Sequence, residues 1–408
     1  MTSATETAPA TGGPLTGRRV LDLGRFVAGP VAATILGEFG AQVIKVERPG
    51  VGDDLRQLGW SKDGSSLWWA VEGRNKDSIT LELSKAEGAE LLLRLIEVSD
   101  VVVENFRPGT LERWGLSWEA MRERNGQVIL LRTSGYGQTG PYSRRAAFNT
   151  AVESLGGLRY IMGEPDRPPA RPGIALGDYT GALTGVIGVL LALYNRDAGG
   201  TGHGQWIDNA LFESVMRITE YTIPAAQHLG RVRERIGAES VGTVPARSFQ
   251  CVDGTWVGIS AANDAMFGRL CKAIDRPDLI DDDRVRTNAD RIQNSNWIHD
   301  IIGDWITART PEVVLDAFDA AEVSASEVLT SKRLIENPHI VARGSVVDVP
   351  DPILGHTVMQ GVVPRLSETP GRIEHAGPQL GSSNRDIYQG LLGLTDSELD
   401  TYASAGVI

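Results

Sequence analysis

Cysteine is nearly absent from this chain. Its two residues, Cys251 and Cys271 in a chain of 408, have neither the number nor the CxxC spacing of a disulfide framework or a zinc site, so a reducing cytoplasm is the expected location. A basic excess is missing as well. With 40 Lys and Arg against 52 Asp and Glu, and a net charge of −12, the chain has no general means of displacing counterions from a polyanion, which argues against nonspecific nucleic-acid binding. Any anionic ligand must then meet a local cluster of cations. The longest apolar run, 182–194, falls short of the ~20 residues of a bilayer span and is broken by glycines, so it reads as a buried core helix and no membrane contact is expected. The opening MTSATETAPATGGP lacks the basic and apolar regions of a signal peptide and reads as a disordered tail over residues 1–14.

Several chemical signatures are also missing. After the strand-like VLDLG comes RFVAGP, without the G-x-G-x-x-G glycines that let a backbone close on a pyrophosphate. No Walker A sequence occurs. The six histidines are scattered singly, none with the spacing that puts two metal ligands on one face, so no metal is expected. TSGYGQTG, the nearest approach to a serine-hydrolase elbow, lacks its flanking glycines.

What is present is strand–helix alternation. RVLDL, QVIKVE, SITLEL, DVVVENF and QVILLRTSG read as strands, with helices in GPVAATILGEF and SKAEGAELLLRLIEVS, the pattern of a parallel sheet covered by helices. A long apolar helix follows residue 178, and WIDNALFESVMR reads as a further amphipathic helix. The chain divides into an N-terminal part of a large domain over 15–222, a smaller domain over 223–328 with GTWVGISA as a strand, and an extended return over 329–408. The last of these ends in a helix capped by Thr395 and Glu398.

Open parallel sheets bind ligands at the carboxyl ends of their strands, and the unusual residues of this sequence fall in those loops. IKVERPGVGDDLR places Lys45, Arg48 and Arg56 beyond a strand, and EGRNKDS places Arg74, Asn75 and Lys76 before another. Sharing one sheet edge, they would form a basic pocket for a phosphorylated ligand; otherwise they are solvated loop charges. In VENFRPGTLERWGL, the amide, ring and guanidinium of Asn105, Phe106 and Arg107 suit a purine and its phosphates, although Pro108 and Gly109 also make an ordinary turn.

Asp178, in GIALGDYTGALTGVIGVLLALYN, stands at the mouth of the apolar helix. Asp is a favoured helix N-cap, and capping is the ordinary reading. The small residues Gly177, Thr180, Gly181 and Ala182 around it would also let a ligand approach closely.

The blocks GRRVLDLGRFVAGPVAATILGEFGAQVIKVERPGVGD, RNKDSITLEL, EGAELLLRLIEVSDVVVENFRPGTLERWGL, GYGQTGPY, LGDYTGAL and TGHGQWIDNALFES, in this order, resemble the class III CoA-transferases, the CaiB/BaiF family. The resemblance implies an α/β fold: an interlocked homodimer whose subunits each have a Rossmann-like large domain, built from both chain ends, and a smaller α+β domain. It implies acyl-CoA and a carboxylic acid as substrates, with no cofactor beyond coenzyme A. By position, Asp178 is the catalytic aspartate, forming an acyl anhydride and then an aspartyl-CoA thioester. The matching CoA positions are Arg25, Phe26, Val27 and Ala28, Lys45 and Arg48 for phosphates, Asn75 and Lys76, and Asn105, Phe106 and Arg107, with Tyr136 at the thioester end. An oxyanion donor from a Gly-rich loop has no counterpart in ARSFQCVDGTW, which lacks the glycines. The related racemases need a histidine just before the aspartate-bearing helix; Phe148 stands there and cannot accept a proton, which favours transfer. RVRERIGAES resembles transferases acting on short dicarboxylates such as succinate, malate or mesaconate. One of Arg231, Arg233, Arg235 and Arg247 would then hold the distal carboxylate, unless these arginines form a solvated helix face. Racemisation, or CoA binding without catalysis, is the alternative.

Overall fold

A computed structural model describes residues 12–408; the expected tail lies outside the described residues over 1–11. Six parallel strands form the main sheet: β1 (Arg19–Asp22), β2 (Gln42–Glu47), β3 (Lys76–Thr80), β4 (Val101–Glu104), β5 (Ile129–Ser134) and β6 (Trp206–Ala210). They lie in the order β3-β2-β1-β4-β5-β6, so the order reverses between β1 and β4, the switch point of a doubly wound sheet. Successive side chains of a strand face opposite sides, and helices cover both sides. Leu21, Ile44, Val102 and Leu130 enter one core, while Val20, Val43, Val101, Val103, Ile129 and Leu131 enter the other. Burial on two faces explains why these strands read as continuous apolar runs.

The sixth strand corrects the reading of WIDNALFESVMR as one helix. Its first half pairs with β5, from Leu130 beside Trp206 to Ser134 beside Ala210, and only Leu211–Arg217 is helical. Helical spacing was present, but an open sheet edge supplied hydrogen bonds that took the first five residues.

The chain packs as two units. The larger comprises residues 12–158, Pro172–Pro224 and Val341–Ile408; the smaller comprises Arg159–Arg171 and Ala225–Ile340. Breaks were expected at 222 and 328, and the recruitment of Arg159–Arg171 to the smaller unit was not foreseen. In the smaller unit, three antiparallel strands, Ala246–Gln250, Trp256–Ser260 and Ser324–Glu327, pair side by side, and helices such as Ser295–Thr307 share their core through Phe249, Val257, Ile298 and Ile302.

The return segment docks on the larger unit. Tyr388 donates its hydroxyl proton to Thr80 C=O at 2.8 Å, and Glu82 N–H donates to Val407 C=O at 2.8 Å. The terminal helix Asp396–Ser404 starts with the Thr395–Glu398 capping box read from the sequence.

Candidate active site

Helix α1 (Ala28–Glu38) follows β1, and the turn between them lies at the switch point. Beside that turn is a cavity of ≈ 360 Å³ lined by Arg25, Arg48, Asp53, Leu83, Phe106 and Trp114, among others. Arg48 and Arg107 are exposed and without side-chain partners among the described residues. Arg25 also lines the cavity but donates from Nε to Asp54 at 2.8 Å, and the Phe106 ring meets Trp114 edge-on at 5.3 Å. Val27 and Ala28 are buried at the start of α1. A cationic rim beside two aromatic faces suits a nucleotide with phosphates.

Lys45 also lines the cavity, but its ammonium group, like that of Lys76, is engaged inside the fold. Both are fully buried. Lys45 Nζ lies 2.8 Å from Asp53 and 3.5 Å from Asp22, and donates to Gly24 C=O; Lys76 Nζ bonds Asp22 at 2.9 Å and Pro30 C=O at 2.8 Å. Burial opposes the charge on each lysine, but the carboxylates of Asp22, Asp53 and Glu47 outweigh it at Lys45, whose pKa is raised, while at Lys76 burial prevails and the pKa is lowered. Both ammonium groups are paired with carboxylates inside the fold rather than free to meet a phosphate, although Lys45 stands in the cavity wall.

Asn75 is likewise a structural residue. At φ +57, it donates to Arg372 C=O and accepts from Glu374 N–H, both at 2.7 Å, fastening the return segment. Arg56 binds Glu47 through Nε and Nη2, both at 2.7 Å, and Arg74 binds Glu38 at 2.7 Å. Asn105 spends its amide on the backbone of Arg25. The basic pocket is thus built of fewer free cations than the sequence suggested.

Asp178 occupies the first turn of helix α2 (Leu176–Asp197), whose N-cap is Ala175 without a side-chain cap. The capping reading is therefore corrected: Asp178 sits three residues into the helix, and its carboxylate has no hydrogen-bond or ion-pair partner among the described residues. Burial, with a smaller contribution from the charge of Glu153, raises its pKa from 3.8 to about 6. Glu153 is fully buried on the helix Asn149–Leu155, where Oε1 accepts from Asn149 at 2.8 Å and from Gly177 N–H at 3.4 Å. This neighbour was missed; Asn149 and Glu153 stand four apart in FNTAVES, one helical face, but nothing in the sequence places that face against residue 178.

The small residues around Asp178 face the protein rather than a ligand. A Cβ on Gly177 would stand 2.7 Å from Asn149 Oδ1, one on Gly181 would overlap Leu211, and one on Gly185 would stand 3.0 Å from Leu131. They let α2 lie close on β5 and β6. The helix is longer than the apolar run implied, and its 22 residues are long and apolar enough, by length and composition, to cross a membrane.

The turn at β1 and the Asp178 neighbourhood are joined by packing. Phe26 meets Phe148 edge-on at 5.8 Å, and Ala28, Val152 and Leu211 share a cluster. Tyr136, just beyond β5, lies edge-on to Tyr142 at 6.0 Å, with Arg145 over the Tyr142 ring. Residues 231–236 are not helical, which removes the solvated-helix reading of their arginines. Arg235 donates to Tyr160 C=O at 3.0 Å and Arg247 to Glu239 at 2.7 Å, all within the smaller unit. ARSFQCVDGTW forms two strands and the tight turn between them, where Gly254 takes φ +88.

A doubly wound parallel sheet with an aromatic, cationic cavity at its switch point defines a nucleotide-binding type of α/β enzyme, here with an unpaired carboxylate at a nearby helix start. The chain belongs to CoA-transferase family III, whose model matches residues 15–384, and it is a CoA-transferase. It is 43% identical over 396 residues to the succinyl-CoA–D-citramalate CoA-transferase of Chloroflexus aurantiacus, covering 97% of this chain and 98% of that one. It is 42% identical to the succinyl-CoA–L-malate CoA-transferase beta subunit of the same organism, over 97% and 98%. Among solved structures, a CaiB/BaiF family protein from Brucella suis superposes with a TM-score of 0.83 at 31% identity, covering 93% of this chain and all of the other.

Proposed function

We propose that this protein moves coenzyme A from succinyl-CoA, or a similar acyl-CoA, to a short dicarboxylic acid, with Asp178 as covalent nucleophile. The observation that carries this reading is the Asp178 carboxylate itself: mostly buried, without a protein partner among the described residues and beside a second carboxylate. A structural carboxylate in such a place would be paired. The substrate class is supported by the relatives that act on citramalate and malate.

The steps balance without an added group. An Asp178 oxygen attacks the thioester carbonyl and the C–S bond breaks, leaving a mixed anhydride and CoA thiolate. The thiolate attacks the Asp178 carbonyl carbon, releasing the donor acid and forming an aspartyl-CoA thioester. The acceptor carboxylate attacks that thioester, and the thiolate returns to the acceptor's acyl carbon, freeing Asp178. One thioester replaces another, so no ATP is consumed. Arg25, Arg48, Phe106 and Arg107 are assigned to the nucleotide end of CoA, with Val27 and Ala28 shaping the turn beside it. Tyr136 keeps its assignment at the thioester end, and one arginine among Arg231, Arg233, Arg235 and Arg247 keeps the distal carboxylate.

The enzyme acts as a homodimer with interlocked subunits in the cytoplasm. Leu183, Ile187, Leu191 and Tyr194 form an exposed apolar stripe on α2, the kind of surface a second copy covers. The two cysteines are buried and unpaired, in keeping with a reducing compartment. Phe148 at the racemase histidine position, 69% exposed, offers no proton acceptor. Glu153 is the one feature that favours proton transfer instead.

Acyl-CoA donors screened by mass spectrometry against a panel of acids should reveal CoA exchange, with hydroxylamine trapping at Asp178. Solvent deuterium entering the α-carbon without a trapped adduct would overturn this reading in favour of racemisation by Asp178 and Glu153.

A further inference from the structure

We propose that Asn105 and Asp53 are positioning residues for CoA transfer, acting through the turn at 25–27; this rests on the CoA-transferase reading given above. Phe26 takes φ +63, a left-handed conformation that costs a non-glycine residue about 1–2 kcal/mol. Three hydrogen bonds hold it there. Asn105 pairs twice with the Arg25 backbone, accepting from its N–H at 2.8 Å and donating to its C=O at 2.7 Å. Asp53 Oδ1 accepts from Phe26 N–H at 3.0 Å.

Neither holder is loose. Asp53 also accepts from Leu55 N–H at 2.9 Å and faces Lys45 at 2.8 Å, and Lys45 donates to Gly24 C=O at the entrance to the turn. A buried ion pair therefore lies beneath the bend, which burial and the surrounding charges fix to one geometry. The bend has two consequences. It presents Arg25 to the switch-point cavity, and it sets the Phe26 ring against Phe148, the residue before the helix whose Glu153 receives the amide next to Asp178. One constrained residue thus links the cavity to the nucleophile's neighbourhood. Reacting atoms must be held about 3–3.5 Å apart, so a turn relaxed to negative φ would misplace the thioester while Arg48, Phe106 and Arg107, which lie outside the turn, keep most of the hold on CoA.

Asn105 was expected to be a CoA ligand, and the two roles separate experimentally. The full-length wild type, Asn105→Ala and Asn105→Asp would be compared for backbone hydrogen exchange over residues 23–29, for the Kd of free CoA and for kcat of CoA exchange. Asn105→Asp, which keeps the acceptor but loses the donor, serves if the alanine variant folds poorly. Faster exchange at Arg25 and Phe26 is expected, with kcat lowered about 10–100-fold and the Kd of CoA changed less than about threefold. A raised Kd at unchanged kcat would make Asn105 a ligand and overturn the proposal, as would unchanged exchange in the turn or a fall in melting temperature alone. If the wild type exchanges CoA with no acid, the functional reading fails, while the hydrogen-exchange comparison still decides whether the clamp exists.

Discussion

Replacing Asp178 by asparagine should abolish CoA exchange and at the same time stabilise the protein above pH 6. The carboxyl is raised from 3.8 to about 6, first by burial and then by Glu153, so the fold prefers it neutral. Between those two values the folded state keeps a proton that the unfolded chain has released. Stability therefore falls as pH rises through the window, and the whole penalty is present above about 6. A difference of about 2 in pKa, at 1.36 kcal/mol each, is on the order of 3 kcal/mol. Solvent reaching the open side of the carboxyl reduces that to about 1–2 kcal/mol. For a chain of this length, with an unfolding entropy of about 2.1 cal/mol/K per residue, the gain is about 1–2 °C in Tm. Asparagine has the shape of the protonated acid and no charge, so it reports this penalty directly. Thermal melts of wild type and Asp178→Asn at intervals from pH 3.5 to 8 should show curves that converge at the acid end and separate between 3.8 and about 6. A variant less stable than wild type at pH 8, or a difference independent of pH, would refute the reasoning, because either would mean that the carboxylate is stabilised where it lies. A carboxylate held at the expense of the fold, as the proposed nucleophile would be, is the usual trade between stability and activity.

Other perturbations separate function from scaffold. Glu153→Gln removes a like charge but leaves the burial of Asp178, so the acid limb of kcat/KM for acyl-CoA should move below about 6 without reaching 3.8; a limb that stays or rises contradicts the electrostatic coupling. Arg48→Ala should weaken CoA binding about tenfold with Tm nearly unchanged, whereas Lys45→Ala should lower Tm by leaving Asp22 and Asp53 short of a counterion, at about 3–5 kcal/mol; calorimetry and CoA titration distinguish the two. Gly181→Ala places a methyl group into Leu211 and should cost about 1–3 kcal/mol in urea unfolding. Leu191→Asp should shift the sedimentation coefficient towards the monomer, and an unchanged value would move the subunit interface elsewhere.

The strands of the large unit were legible because burial on both faces leaves short, continuous β-branched runs, and five such runs alternating with helical segments leave little choice of fold. The sixth strand was not, since Trp206–Ala210 also fits a helical face and only the open edge of β5 decides. Asp178 was legible as an acid at the start of an apolar helix, but its place in the first turn beyond an uncapped Ala175 depends on where the preceding chain bends. Polar and charged residues misled most. Lys45 in VIKVE and Asn105 in VENFRPG carry the chemistry of ligands, yet their partners, Asp53 and the Arg25 backbone, lie far away in sequence or on another loop. Local spacing says what a side chain could bind, whereas the fold decides what reaches it first. A signal for Lys45 did exist: an ammonium on the interior of a strand flanked by apolar residues has little access to solvent and needs a buried carboxylate.

Helix α2 ties these threads together. An amphipathic helix usually turns its large apolar residues to the core, but here Gly177, Gly181 and Gly185 face the packed interior while Leu183, Ile187, Leu191 and Tyr194 face outward. The glycines bring the helix close to β5 and β6, and so bring Asp178 to the carboxyl edge of the sheet where the ligand cavity lies. Val186, Val189 and Leu193 share the buried side with the glycines, and Leu183, Ile187, Leu191 and Tyr194 are left on the other. Each of them would contribute about 1.5–3 kcal/mol if covered, a stabilisation that one copy of the chain leaves unused and a second copy can supply. On the proposed mechanism, the helix that carries Asp178 would then also be the surface of association. If two copies associate through this stripe, Leu191→Asp should also loosen the first turn of α2 and reduce CoA transfer, read as faster backbone hydrogen exchange at 176–179 together with a lower kcat.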